Sequence, residues 1–238
     1  MATGPFLKIL VAEDEAPLRN LIRLSLEAGG HTVIAVGDGE AALDSLKRED
    51  VHLVILDIMM PKMDGFTACQ EIRKHSDVPI MMLTALGNIE SIVRGFELGA
   101  DDYITKPFAF KEVDVRVQAI MRRYNWAKQG APEDIITIGR VTLDVEAHEV
   151  RVDGRAIHLT PTEFELLRYL MTHDGETIAK EELFKDVWGY EFVGGTNLVE
   201  VAIRRLREKI EINPSKPEYI LTVRGVGYRF RDREQGEI

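Results

Sequence analysis

The stretch Val51-His52-Leu53-Val54-Ile55-Leu56-Asp57-Ile58-Met59-Met60-Pro61-Lys62-Met63-Asp64-Gly65 decides how this chain is read. A short apolar run bounded by turn-forming residues reads as a buried strand. A carboxylate at its exit is costly unless its charge is used. Three further polar stations close other apolar runs: Glu13-Asp14 after Leu7 to Ala12, Thr84 after Ile80 to Leu83, and Lys106 after Tyr103 to Thr105. If those runs are parallel neighbours, all four stations meet at one edge.

Within this stretch and on either side of it the strand candidates are Leu7 to Ala12, Thr32 to Val36, Leu53 to Leu56, Ile80 to Leu83 and Tyr103 to Thr105. Between and after them, Pro17 to Ala28, Gly39 to Lys47, Gly65 to Lys74, Ile89 to Leu98 and Phe110 to Arg123 repeat apolar residues at helical spacing. Five such βα units predict an α/β doubly wound domain with a five-stranded parallel sheet. Ligands of open sheets bind beyond the carboxyl ends of the strands, where the polar stations stand. The stretch Lys128-Gln129-Gly130-Ala131-Pro132-Glu133-Asp134 breaks the periodicity and reads as a linker. The expected division is therefore 1–123, a linker over 124–134, a second domain over 135–232, and a tail over 233–238.

In the second domain short alternating segments, Ile135 to Leu143 and Glu149 to Val152, precede an Asp153-Gly154 hairpin turn and the segment Ile157 to Leu159. Thr160-Pro161-Thr162-Glu163 combines an N-cap, a proline at the first helical position and a capping-box acid. The helix it opens runs to about Thr172; further helices span about Lys180 to Val187 and Thr196 to Ile210. Tyr219 to Val223 and Tyr228 to Phe230 form strands around Arg224-Gly225-Val226-Gly227. A short helix, a loop, a basic helix and a Gly-rich hairpin make the layout of a winged helix-turn-helix.

Composition narrows the function. At 238 residues with 45% apolar content, two folded cores are expected. The single cysteine, Cys69, excludes an intramolecular disulfide and suits a reducing cytoplasm. No apolar run approaches a membrane span, so a soluble cytoplasmic protein without a membrane partner is expected. The net charge is -10. Residues 1–124 carry 14 Lys+Arg against 19 Asp+Glu and residues 125–238 carry 16 against 21, so neither half is basic overall. Any DNA contact must be local, and Arg204, Arg205, Arg207 and Lys209 concentrate positive charge in one segment. The apolar face of that segment holds Val199, Ile203, Leu206 and Ile210, leaving the arginines largely off it.

Glu13, Asp14 and Asp57 make a cluster of three carboxylates if the first and third strands are adjacent. Crowded carboxylates repel one another, and Mg²⁺, a hard cation that keeps several waters, relieves the repulsion. Such a cation prepares a carboxylate to attack phosphorus and form an aspartyl phosphate. Lys106 would neutralise phosphoryl oxygens and the Thr84 hydroxyl would donate to one; Lys106-Pro107 is a candidate cis peptide. Taken singly, each of these residues is also an ordinary loop acid, helix-start acid or surface group. Their joint placement at strand ends favours the chemical reading.

These residues resemble the receiver domain of two-component response regulators through Glu13-Asp14, Asp57, Pro61, Asp64-Gly65, Thr84-Ala85 and Lys106-Pro107, over residues 6–123. The resemblance implies a flavodoxin-like fold in which Asp57 accepts phosphate from a sensor histidine kinase. It implies Mg²⁺ on Asp14, Asp57 and the Met59 carbonyl, with Glu13 helping through water, and a switch in which Thr84 moves toward the phosphoryl group while Tyr103 turns inward. Arg204-Arg205-Leu206-Arg207 followed by Thr222-Val223-Arg224-Gly225-Val226-Gly227-Tyr228-Arg229-Phe230 resembles the OmpR/PhoB-type effector domain over residues 135–231. That resemblance implies promoter DNA as partner, Arg205 as base reader, Arg204 and Arg207 as phosphate contacts, and Arg224 as a minor-groove probe. It also implies an RNA polymerase contact at Trp188 to Gly195, whose aromatics are equally suited to packing.

The chain departs from the family pattern at Asn197-Leu198 and Ala202, where many members carry Arg-Thr and His. On the receiver, the family's homodimer pairs map to Asp101 with Arg123 and Asp102 with Arg116, but the basic partner of Glu112 falls on Ile92. A phosphohydrolase using Asp57 would need a second acid two residues on, where Met59 stands, so turnover catalysis is not expected. A third reading makes the first domain a phosphate-independent dimerisation module, against which the complete pocket argues.

Overall fold

The computed structural model of the chain describes residues 6–85, 89–126, 135–190 and 198–231. It forms two compact units, Met1–Ile120 and Met121–Ile238.

In the first unit the elements run β1 (Lys8–Ala12), α1 (Ala16–Ala28), β2 (Thr32–Val36), α2 (Gly39–Arg48), β3 (Leu53–Asp57), α3 (Gly65–Arg73), β4 (Ile80–Thr84), α4 (Ile89–Glu97), β5 (Asp102–Thr105) and α5 (Phe110–Trp126). The strands form one parallel sheet in the order β2-β1-β3-β4-β5, the expected doubly wound fold. The central strands β3 and β4 are buried at every residue, as a parallel sheet covered on both faces demands. Register carries the polar stations to one edge: Ala12 lies opposite Leu56, Asp57 opposite Leu83, and Thr84 opposite Thr105.

Local signals fix the helices that flank this edge. Asp38 caps α2 by accepting from the Ala41 N–H at 2.9 Å, and Asp64 caps α3 by accepting from the Thr67 N–H at 2.7 Å. Gly65 begins α3 where a Cβ would lie 2.1 Å from the Asp57 carbonyl oxygen. Only glycine lets that helix start hard against the end of β3. α5 continues to Trp126, into residues that composition assigns to the linker; the rest of the linker lies outside the described residues.

The second unit opens with an antiparallel sheet of β6 (Ile135–Ile138), β7 (Val141–Asp144), β8 (Glu149–Val152) and β9 (Arg155–Ile157), paired in that order. The apolar segment Ile135 to Leu143 is thus two strands, because the chain turns at Gly139-Arg140, with Gly139 at φ 58°. At the β8–β9 turn Asp153 and Gly154 both have positive φ, 51° and 75°, as a two-residue hairpin loop requires. Then follow α6 (Pro161–Thr172), β10 (Ile178–Ala179), α7 (Lys180–Trp188), α8 (Leu198–Ile210), β11 (Ile220–Val223) and β12 (Gly227–Phe230). The capping box at Thr160 and Glu163 forms. β12 lies between β10 and β11, and the β11–β12 hairpin is the wing. At Gly227 a Cβ would sit 1.9 Å from the Ile178 carbonyl oxygen, so β10 and β12 pair only across a bare backbone. Glu211 fixes the approach to β11, accepting from the N–H groups of Glu218, Tyr219 and Ile220 at 2.9 Å each.

Candidate functional site

At the carboxyl edge of the first sheet, Glu13 follows β1, Asp57 ends β3, Thr84 ends β4 and Lys106 follows β5. Glu13, Asp14 and Asp57 each bring a carboxylate oxygen within 4.8 Å of the others. The Lys106 ammonium lies 2.7 Å from Glu13 Oε2 and 3.0 Å from Asp57 Oδ2. Glu13 and Asp57 are buried and Asp14 is exposed, so the cluster has a wall and a mouth. Backbone bonds set the arrangement: the Glu13 N–H donates to the Val36 carbonyl at 3.1 Å and the Lys106 N–H to the Thr84 carbonyl at 2.7 Å. The Arg19 guanidinium donates to the carbonyls of Glu13 and Asp14, at 2.6 and 3.1 Å. The Lys106–Pro107 peptide is cis.

Burial holds the Glu13 carboxyl above its ordinary range, reinforced by the nearby Asp57 charge and opposed by the Lys106 hydrogen bond. Burial pulls the Lys106 ammonium down, but its bonds to Glu13 and Asp57 outweigh that and leave it raised. One ammonium against three carboxylates leaves these four groups short of cations when all are ionised. The donor set is oxygen alone and includes an exposed carboxylate, which fits a hard divalent cation such as Mg²⁺.

Thr84 is buried, and the space beneath α4 that it lines is shared by Ser91, Ile92, Phe96 and Tyr103. Tyr103 packs edge-on to Phe96, with centroids 6.0 Å apart, and the Arg116 guanidinium lies 5.7 Å from its ring centroid. Ile92 is only 6% exposed, so it belongs to this interior rather than to a charged surface row. Asp101 is fully buried, bonded to Arg73 Nη2 at 2.8 Å and to the Ile80 N–H at 3.0 Å. Asp102 pairs with Arg116 at 3.1 Å within the same chain, and Arg116 also holds Glu112 at 2.9 Å. The Arg123 side chain lies outside the described residues.

On the second unit, α8 buries Val199, Ile203, Leu206 and Ile210, the face that periodicity assigns. Its arginines differ sharply in environment. Arg204 is 52% exposed, with Glu208 as its neighbour at 3.9 Å. Arg205 turns back to Glu163 at 2.9 Å, beside Lys209, which reaches the same carboxylate at 2.6 Å. Arg207 donates to the Ile220 carbonyl at 3.0 and 2.6 Å and to Thr222 Oγ1 at 2.8 Å, tying helix to wing. Burial lowers the pKa of this guanidinium. Arg224 stands exposed on the wing. Nothing in the sequence marks Glu163 as an ion-pair centre, because its capping-box role already accounts for an acid at that position. Trp188 is the last residue of α7, fully buried and stacked on Phe184 at 5.1 Å; residues 191–197 of the expected polymerase-contacting loop lie outside the described residues.

Residues 9–118 match the family described as response regulator receiver domain, and residues 154–230 match the family described as transcriptional regulatory protein, C terminal. The probable transcriptional regulator ycf27 of Porphyridium aerugineum is 45% identical over 229 residues, covering 94% of this chain and 95% of that one. Its namesake in Guillardia theta is 44% identical over 229 residues, covering 94% and 90%. Among solved structures, a mutant of RitR is similar at 30% identity and a TM-score of 0.76, covering 95% of this chain and 99% of that one. DrrB, an OmpR/PhoB homologue from Thermotoga maritima, is similar at 32% identity and a TM-score of 0.51, covering 95% and 100%. The order of a five-stranded parallel unit and a winged helix-turn-helix unit agrees with both family matches, and the chain belongs to the response regulators that join a receiver domain to a transcriptional regulatory domain of the OmpR/PhoB type.

Proposed function

We propose that this response regulator is switched by magnesium-dependent phosphorylation of Asp57, which promotes receiver dimerisation and promoter binding. The observation that carries the proposal is the convergence of Glu13, Asp14 and Asp57 within 4.8 Å, with Lys106 bridging two of them. The phosphodonor is a sensor histidine kinase. An Asp57 carboxylate oxygen attacks phosphorus, the P–O bond forms as the P–N bond to the donor imidazole breaks, and the electron pair returns to the imidazole.

Asp14, Asp57 and the Met59 carbonyl would hold Mg²⁺, with Glu13 assisting through water; the bound cation supplies charge neutralisation for the transferring phosphoryl oxygens. Lys106 keeps the Asp57 carboxylate in place beforehand and afterwards meets the phosphoryl oxygens. Thr84 reports the phosphoryl group by hydrogen bonding, and Tyr103, which borders the same space beneath α4, moves inward. Phosphorylation shifts the population only by the difference in these contacts between the two states. Met59, two residues beyond the nucleophile, carries no acid for rapid turnover, which suits a signal rather than a hydrolase.

Dimerisation would use the face made by α4, β5 and α5. Glu112, Arg116 and Arg123 are its charged candidates; Ile92 marks the pair this chain lacks, and Asp101 and Asp102 are held in the interior by Arg73 and Arg116 of the same chain. In the second domain, placed at 135–232 after a linker that follows α5, Arg204 and Arg224 supply phosphate and minor-groove contacts. Arg205 reads a base edge by exchanging its Glu163 partner for it. Arg207 contacts phosphate from the hinge of helix and wing. Polymerase contact would fall in Trp188 to Gly195, and the protein would work in the cytoplasm. No described helix is long and apolar enough to cross a membrane.

Fluorescence anisotropy with DNA selected from a random library tests the switch. A phosphodonor with Mg²⁺ should raise the affinity of the wild type and leave Asp57→Ala unchanged. Equal gains in both proteins would refute it.

A further inference from the structure

We propose that Lys62 and Asp38 act as a positioning pair for the acidic site, holding the β3–α3 loop in the shape that metal binding needs. The inference rests on the reading of that site as a magnesium-dependent phosphoacceptor. The loop carries the Met59 carbonyl, and its ends are fixed by the Ile58 N–H on the Leu83 carbonyl and the Gly65 N–H on the Ile58 carbonyl, both at 3.0 Å. Its crown lacks a strand partner. Lys62 there has φ 62°, a left-handed conformation that disfavours a lysine by about 1 kcal/mol, so something must hold it.

The holding contact is on α2. Lys62 Nζ lies 2.6 Å from Asp38 Oδ2, while Asp38 Oδ1 accepts the Ala41 N–H that caps the helix. One carboxylate thus joins the loop to a helix start. The neighbouring Gly39 N–H donates to the Met63 carbonyl at 3.3 Å, and a Cβ on Gly39 would sit 2.8 Å from that oxygen, so the crown rests directly on the α2 backbone. Met59 is 60% exposed, so its side chain supplies no anchor. The Lys62 hydrogen bond, helped by the Ala41 N–H, also keeps the Asp38 carboxyl below its ordinary range.

Solvent-exposed ion pairs add little to global stability. Lys62 is an exposed partner, which separates an effect on the site from an effect on the fold. Electrostatics alone predicts opposite outcomes for the two partners: deleting the Lys62 cation would tighten binding of a divalent cation, and deleting the Asp38 anion would weaken it. Positioning predicts that both deletions weaken it.

Magnesium titration calorimetry on the full chain, with thermal melting in chelator as a control, decides between them. Lys62→Met and Asp38→Asn, the latter keeping a competent N-cap, should each weaken Mg²⁺ binding roughly tenfold, at the low end for outer-shell partners of metal sites. Lys62→Arg should restore wild-type affinity, and melting in chelator should change little in all three. Wild-type affinity in both deletion variants, or shifts of opposite sign, overturns the positioning role while leaving the site intact. A wild type that binds no magnesium overturns the underlying reading instead.

Discussion

Lys106→Met should uncover the repulsion that the receiver stores at its acidic edge. At an effective dielectric of about 20, a unit charge pair at the 2.7 Å and 3.0 Å separations of Lys106 from Glu13 and Asp57 attracts by roughly 6 kcal/mol each before desolvation. Two carboxylates within 4.8 Å repel by at least about 3 kcal/mol on the same scale. Much of the attraction is offset by the cost of burying the ammonium. Removing one partner of a buried pair costs about 3–5 kcal/mol, and the partial exposure of Lys106 places this case near the lower figure. A loss of about 3 kcal/mol corresponds to a fall on the order of 10 °C in the melting temperature of a unit this size.

The loss should depend on pH in a defined direction. Glu13 titrates above its ordinary value of 4.5, chiefly through burial, so its uncharged form is favoured in the folded state. The stability this provides is fully present below the unfolded value and disappears as pH rises through the folded one. Losing the Lys106 hydrogen bond, which pulls Glu13 down, drives the folded value higher still. The ammonium itself stays charged between pH 5 and 8 in both folded and unfolded chains, so it adds no slope there. Calorimetric melting of the whole chain without metal should show a large deficit in the variant at pH 8 and a smaller one at pH 5. Magnesium should narrow the pH 8 gap. Equal deficits at both pH values, or a change under about 2 °C at pH 8, would refute this account of the site.

Three expectations concern the second unit. Arg204→Ala should weaken binding to all DNA sequences alike and lower the salt slope by about one, measured by anisotropy over a salt series. Arg205→Ala should relax sequence preference and also destabilise the second unit by about 1–3 kcal/mol, because among the described residues Glu163 then keeps Lys209 alone as a cationic partner. Stability unchanged in urea melts would show that the Arg205–Glu163 pair is inconsequential. Gly227→Ala should cost more than about 3 kcal/mol and abolish specific DNA binding, since its Cβ would strike the Ile178 carbonyl; retention of both would mean that β10 separates freely from β12.

The architecture was legible because strand and helix periodicities are local. The run ending in Asp57 reads as a fully buried strand, and the strand-end rule carried Glu13, Thr84 and Lys106 to the same edge. Several features depended instead on partners distant in sequence. Periodicity places Arg205 and Arg207 off the apolar face of α8, which is correct. It says nothing of Glu163, on another helix, or of the Ile220 carbonyl on the wing. Asp101 likewise reads as a surface acid until Arg73, at the end of α3, closes over it. β10 is too short to show alternation, and β6 and β7 merged into one segment because a single glycine turn separates them.

Phosphorylation of Asp57 is read directly from the mass of the intact protein after incubation with a small-molecule phosphodonor and magnesium, followed by mapping of the modified residue. One phosphoryl group is expected, located on Asp57, lost in Asp57→Ala and strongly reduced by a chelator. Incorporation that survives Asp57→Ala, or maps to any other residue, would contradict it.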